Sequence, residues 1–370
     1  MKRILISTDS YKGTLSSKEA GEIINSAFMR EGFFDNLVLP LSDGGDGMTE
    51  AVREAAGGET VRAEVKGPLF EQVAAEYVRI GKTAVIESSQ ACGLVRVPEN
   101  SRDVMNATTY GVGQLILHAL SGGAENIILG LGGSATNDGG TGMACALGVK
   151  FYGDYPFIPV GRSLENIKRI DMSGLDPRVK RANIIACCDV DNPFFGKNGA
   201  AYVFATQKGA SKEEVRRLDK GLSHLASLIT NVDLKNLPGS GAAGGLGGGI
   251  AAFLGGNLKR GFDVISSLVC LEDKIRQFDM VITGEGKTDF QTLSGKLPAG
   301  VAAVCKKYSK KCILISGCIE GDISPLFERG ISLAYAAAEE VPQKTPDKTE
   351  AADALYRTAL RAAKEIKADC

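Results

Sequence analysis

Residues 3–47 read RILISTDSYKGTLSSKEAGEIINSAFMREGFFDNLVLPLSDGGDG, and the order of signals in this stretch decides the fold. Arg3-Ile-Leu-Ile-Ser7 is a short apolar run ending at a polar turn, the pattern of a buried strand. Ser16 and Glu19 form a capping box, which opens an amphipathic helix running to about Arg30. Asn36-Leu-Val-Leu-Pro40 is a second strand, and it ends in the loop SDGGDG, Ser42 to Gly47. Strand, helix, strand, with a ligand-type loop after each strand, predicts a parallel, doubly wound sheet.

The pattern changes between about Gly67 and Val97, where the short runs Ala74–Ile80 and Thr83–Glu87 flank a Gly-Lys turn and predict antiparallel pairing. Helix is predicted over Thr108–Leu120, then a strand over Asn126–Gly130 and the loop GLGGSATNDGG. A strand over Asn183–Cys187 leads into CDVDNPFFG, and Ser211 with Glu214 caps a long helix to about Ile229. Phe278–Thr283 and Lys311–Ser316 are strands that end in GEGKTD and SGC, and Thr349–Ile366 is a closing amphipathic helix. No repeat is visible. The expected fold is α/β: a doubly wound, mostly parallel domain of the Rossmann or flavodoxin-like kind, with an inserted mixed α/β second domain. The first would hold residues 1–66, 102–148 and 238–370, and the second 67–101 and 149–237.

Composition removes several classes of function. A chain of 370 residues suits about two domains. A net charge of −1 offers no field for nucleic acid or an anionic membrane, so an anionic ligand needs a local site. The nine cysteines include no CxxC pair, which points to small buried thiols in a reducing cytoplasm rather than to zinc or disulfides. The apolar run in MKRILISTDS is too short for a signal peptide, and no stretch approaches the ~18 apolar residues of a membrane span. His118 and His224 are the only histidines, both on helical patterns beside leucines, which disfavours Ser-His-Asp and Cys-His chemistry.

Five polar loops follow strands, and in a parallel sheet such loops gather at one edge. The run Gly132-Gly-Ser-Ala-Thr-Asn-Asp-Gly-Gly140 frees backbone N–H groups to face an anion, and a helix beginning near Thr141 adds its dipole. Asp9, Asp43, Asp189, Asp191, Glu285 and Asp289 lie in these loops, where carboxylates suit magnesium or a proton acceptor. Asp43 and Asp289 also fit as helix caps. Lys12 and Lys296 are the basic candidates for a phosphate. Two further matches fail on context. Gly239–Gly244 fits GxGxxG, with Asp263 at nearly the spacing of a ribose-binding acid, but no convincing strand precedes it. Gly286-Lys-Thr288 resembles the end of a P-loop whose first glycine would fall at Val281, inside a strand.

Taken in order, DSYKGTLS, LSDGGDG, ESSQACGL, TTYGVGQLI, LGGSATNDGGTGMACALG, CDVDNPFFGKNGAAYVFATQKGA, GSGAAGGLGGG and TGEGKTDFQTLSGKLPAGVA resemble the bacterial type-one glycerate kinase family almost end to end. The resemblance implies phosphorylation of D-glycerate by ATP, many members giving 2-phosphoglycerate, with the active site in the cleft of a two-domain α/β protein. Departures are Thr8 and Thr206, where the family usually has proline, and Asp46, where it has glutamate.

On that reading ATP phosphates are expected on Gly132, Gly133, Ser134, Thr136, Asn137 and Asp138, and on the loop of Gly241, Gly244 and Gly245. Mg2+ is expected on some of Asp189, Asp191, Glu285 and Asp289. Ser10, Asp43, Gly44 and Gly45 would line the substrate. Asp9 or Asp189 would be the base, and Lys12 and Lys296 would hold the glycerate carboxylate or the moving phosphoryl group. Gly133, Asp189 and Glu285 are expected at one rim. Partners are expected to be the small acid alone, without nucleic acid or membrane, and a homodimer is left open. Two other classes compete: a hydroxy-acid dehydrogenase using NAD at Gly239–Gly244, and a ligand-binding protein without catalysis.

Overall fold

The computed structural model describes residues 2–294, 296–340 and 346–368. Two compact units share the chain, one of 1–43, 50–57 and 262–370, the other of 44–49 and 58–261.

The first unit is built on a five-stranded parallel sheet in the order Ile331–Ala336, Lys311–Ser316, Met280–Thr283, Ile4–Ile6, Asn36–Val38. Ile4, Leu5 and Ile6 have no exposed surface, as expected of a parallel strand covered on both faces. Ile4 and Ile6 pack with Ile24 and Phe28 of helix Ser17–Arg30 and with Leu355 and Ala359 of helix Lys348–Ala368. Leu5 points the other way by strand alternation and is equally buried. The predicted capping box is present: Glu19 N–H donates to Ser16 Oγ at 3.2 Å and Ser16 N–H to Glu19 Oε2 at 2.9 Å. Its counterpart at Ser211 and Glu214 opens helix Lys212–Leu228.

The second unit has a six-stranded sheet, Asn257–Lys259, Asn183–Cys187, Asn126–Gly130, Thr83–Glu87, Gln72–Ile80, Glu59–Lys66. Its first four strands are parallel and the last two antiparallel. This moves the domain boundary. Residues 44–49, 58–66, 102–148 and 238–261 were expected with the termini but belong to the second unit, where Glu59–Lys66 pairs with Gln72–Ile80 and Asn126–Gly130 pairs with Thr83–Glu87 on one side and Asn183–Cys187 on the other. Thr83–Glu87 makes the expected antiparallel pair with Gln72–Ile80, but its other edge is parallel. A short three-stranded sheet, Pro156–Phe157, Lys150–Tyr152, Arg169–Asp171, completes the unit.

Both histidines serve structure. Tyr77 Oη lies 3.1 Å from His118 Nδ1, and His224 Nε2 lies 2.7 Å from Ile167 O. The eight described cysteines are joined in no disulfide, Cys92, Cys187, Cys305 and Cys312 being buried; Cys370 lies outside the described residues. Among the described residues no helix is long and apolar enough to cross a membrane.

Candidate active site

In the second unit Glu87, Gly130, Cys187 and Lys259 are aligned partners across four parallel strands. The loops that follow therefore leave one edge of the sheet, the edge at which open α/β sheets take their ligands. Over it lies the loop Gly44–Asp46, and glycine is what lets it sit there. A Cβ on Gly130 would come 2.7 Å from Gly44 O, one on Gly132 3.0 Å from Gly45 Cα, and one on Gly133 2.6 Å from Asp46 Oδ1. Gly133 also has φ +62°, a conformation that other residues seldom adopt.

The loop is pinned on its far side. Leu94 N–H donates to Gly133 O at 2.7 Å and Ala135 N–H to Cys92 O at 2.7 Å. Within 132–140 only Gly132 and Gly133 are open to solvent. No described residue accepts from their N–H groups, so these amides can face an anion.

The rest of the glycine-rich run turns inward, which corrects part of the expected phosphate cradle. Asp138 is fully buried and accepts four hydrogen bonds, from Thr109 N–H (2.8 Å), Thr109 Oγ1 (2.9 Å), Gly140 N–H (3.1 Å) and Gly142 N–H (3.2 Å). It ties helix Tyr110–Ser121 to helix Thr141–Ala146 and is not ligand-facing. Thr136 and Asn137 are also fully buried, and both Asn137 amide atoms are without a partner.

Gly241, Gly244 and Gly245 are correct as glycines but not as phosphate contacts. Gly244, at φ +70°, lies so close to the loop that a Cβ would come 1.9 Å from Thr136 O. Gly139 N–H donates to Gly244 O, Gly241 N–H to Asn192 O and Gly245 N–H to Gly241 O. The Gly244 carbonyl holds the Gly132–Gly140 run at Gly139, and the Gly241 and Gly245 amides are satisfied inside the protein. The segment does not follow a strand either, the nearest being Asn257–Lys259 after it, so a dinucleotide fingerprint is absent.

Sequence reading missed two buried charges here. Lys208, 3% exposed, donates to Ser134 Oγ at 2.9 Å and to Thr136 O at 2.7 Å. Burial pushes its ammonium down to about 8, against the pull of Cys92 and Asp138. Glu87 accepts from Thr49 N–H (2.7 Å), Thr49 Oγ1 (2.8 Å) and Gly47 N–H (3.3 Å), holding the first turn of helix Met48–Ala56. Burial raises its carboxyl against these hydrogen bonds, and Asp46 adds to the rise. Asp189 and Asp191 are exposed on this same unit, and Asp189 Oδ1 accepts from Gly261 N–H at 3.1 Å.

The first unit gathers a second group after Ile4–Ile6 and Met280–Thr283. Asp9 is buried, its N–H donates to Gly284 O at 2.8 Å, and its Oδ1 accepts Ser10 N–H at 2.7 Å. Glu285 Oε1 accepts from Thr292 Oγ1 at 2.6 Å and Thr288 Oγ1 at 3.0 Å. Burial raises the Glu285 carboxyl; the Thr292 hydroxyl, the Lys296 charge and the Thr288 hydroxyl oppose this, and Asp43 adds to it. The Tyr11 phenol is raised by burial and then by the charges of Glu285 and Asp9. Asp43 and Lys296 thus fall in the electrostatic neighbourhood of Glu285, while Lys12 is exposed.

The expected magnesium ligands divide: Asp189 and Asp191 belong to the second unit, Glu285 and Asp289 to the first. Among the described residues no three His, Cys, Asp or Glu side chains converge as a metal cage. Asp289 is occupied locally, accepting Gln291 N–H at 2.8 Å and lying 3.7 Å from Lys287 Nζ. Glu285 does fit, since both of its hydroxyl bonds fall on Oε1 and no described residue donates to Oε2. Magnesium commonly takes one or two carboxylates and completes its shell with phosphate and water.

Parallel α/β sheets, an exposed pair of glycine amides and buried carboxylates at strand ends suit an ATP-dependent kinase of small molecules. The chain belongs to the glycerate kinase family, whose sequence profile matches residues 4–367. It is 44% identical to the Glycerate 2-kinase of Escherichia coli K12, over 99% of this chain and 97% of that one. The Glycerate kinase of Bacillus subtilis 168 is 40% identical over 99% and 98%. A crystal structure assigned as glycerate kinase 2 of Salmonella typhimurium LT2 superposes with a TM-score of 0.86 at 40% identity, covering 100% of this chain and 99% of that one.

Proposed function

We propose that this enzyme transfers the γ-phosphoryl group of ATP to the 2-hydroxyl of D-glycerate, giving 2-phosphoglycerate. The observation that carries the reading is the full-length likeness to a relative named for 2-phosphorylation. The Gly132 and Gly133 amides would hold nucleotide phosphate, and Ser134, tied to Lys208, would keep them in place. Lys12 and Lys296 would meet the carboxylate or the transferring group, where a lysine acts as a point charge. Ser10, Asp43, Gly44 and Gly45 would border the acid. A divalent cation bound with the nucleotide neutralises charge during transfer; Glu285, through Oε2, would hold it. Free thiols agree with a cytoplasmic setting.

Incubation with ATP, Mg2+ and D-glycerate should release ADP in step with a single phosphorus NMR signal for 2-phosphoglycerate. A 3-phosphoglycerate product would move the acceptor hydroxyl, and the absence of ADP release would reject the reading. The role of Glu285 has its own measurement. In Glu285→Gln the Mg2+ concentration for half-maximal rate should rise at least about tenfold. The raised carboxyl also sets a direction in wild type. As pH falls through its folded value the group takes a proton, so the Mg2+ concentration needed for half-maximal rate should climb on the acid side, starting above the ~4.3 of a free glutamate. An unchanged magnesium requirement in the variant would take Glu285 out of the metal site.

A further inference from the structure

The second unit also holds a cavity of about 530 Å³ that no residue assigned above to catalysis lines. Arg102, Arg162 and Arg217 border it, with Asp103 and Glu214 as its acids. Those acids are turned to local work. Asp103 accepts Asn106 N–H at 3.2 Å on Oδ1 and Asn106 Nδ2 at 2.6 Å on Oδ2, and Glu214 Oε2 accepts Ser211 N–H at 2.8 Å. The guanidiniums, by contrast, are under-used. Arg102 Nη1 donates to Gln207 O at 3.2 Å, but its Nε is buried with no acceptor, and its nearest acid, Glu99 at 3.8 Å, is 89% exposed. Arg217 Nη2 donates to Arg162 O at 3.1 Å, and no described residue accepts from the Arg162 guanidinium.

A guanidinium with donors that no described residue accepts, as at Arg162, can give them to an incoming oxyanion. The planar fork of arginine matches phosphate and carboxylate oxygens in pairs, and the cavity volume is that of a small-molecule site. We propose that the Arg102–Arg162–Arg217 cavity is a binding site for a small phosphate-bearing anion, separate from the site of phosphoryl transfer. Gly209 lies in its wall, next in the chain to Lys208.

Calorimetric titration tests this on the whole chain saturated with AMP-PNP, Mg2+ and D-glycerate, so that the catalytic phosphate positions are filled. Inorganic phosphate and phosphoenolpyruvate are titrated separately, and whichever binds more tightly tells free phosphate from an organic phosphate as the source. Wild type should bind at least one of them. Arg162→Ala/Arg217→Ala should weaken that binding at least about tenfold, since each removed guanidinium takes its charge-assisted hydrogen bonds with it. Both arginines are exposed, so kcat and the KM for ATP should be unchanged, which also reports a folded variant. Equal binding by wild type and variant, or no binding of either anion to wild type, would overturn the site.

Discussion

Asp9→Asn is expected to lower kcat by about 10²–10⁴-fold, the loss that accompanies removal of a general base. The reaction needs a group that takes the proton of the attacking hydroxyl, and neither histidine is free for it, His118 meeting Tyr77 and His224 the Ile167 carbonyl. Tyr11 is held in its neutral phenol form by burial and by two nearby carboxylates. That leaves the aspartates. Asp9 is buried at the end of the Ile4–Ile6 strand, where a carboxylate has lost much of its competition with water. Asparagine keeps an oxygen for the Ser10 N–H, and the backbone bond to Gly284 O does not involve the side chain. The variant should therefore still fold while turning over far more slowly. Asp189→Asn is the necessary companion, because Asp189 is the other candidate and is exposed, with one oxygen on Gly261 N–H. A near-normal rate in Asp9→Asn with a large loss in Asp189→Asn would transfer the role to Asp189.

The sequence and the structure agree where a signal is local. Ser16 with Glu19 and Ser211 with Glu214 announce helix starts, and both boxes form, because the donors and acceptors lie within one turn of each other. The strand Asn126–Gly130 was equally legible as a strand, but not its sheet. Which parallel neighbours it takes depends on contacts distant in the chain, and its apolar run would suit either sheet. The same limit explains the glycines. A glycine announces that something comes close without saying what. At Gly133 it is a neighbouring loop and an open amide, whereas at Gly244 it is the Thr136 carbonyl. Glu87 closes an apolar strand, a place where a carboxylate must find donors, so it could have been singled out. Lys208 carries no comparable mark in Thr-Gln-Lys-Gly, and its burial depends on the distant Ser134–Thr136 segment.

Asp138→Asn should be the most destabilising of these substitutions, by on the order of 3 kcal/mol or more, because the donors around it leave no room for an amide. Thr109 Oγ1 accepts Met143 N–H at 2.9 Å, so its own proton is directed at Asp138 Oδ2, which Thr109 N–H and Gly142 N–H also approach. Gly140 N–H approaches Oδ1. Either orientation of an asparagine amide sets its NH2 group against at least one of these donors, with no water to substitute. The change also removes a negative charge that supports the buried Lys208 ammonium. In wild type that ammonium, held at about 8 where an ordinary lysine has 10.5, binds its proton less well folded than unfolded. Stability should therefore rise with pH between about 8 and 10.5 and carry the full penalty below about 8. In Asp138→Asn the Lys208 value should fall further, so the penalty near pH 7 grows and more of it is relieved by alkali. Urea midpoints at pH 7 and pH 9.5 measure both effects: the variant should lie well below wild type at pH 7 and close part of the gap at pH 9.5. Equal midpoints at pH 7 would mean that Asp138 does not clamp the loop, and a gap that widened at pH 9.5 would dissolve its link to Lys208.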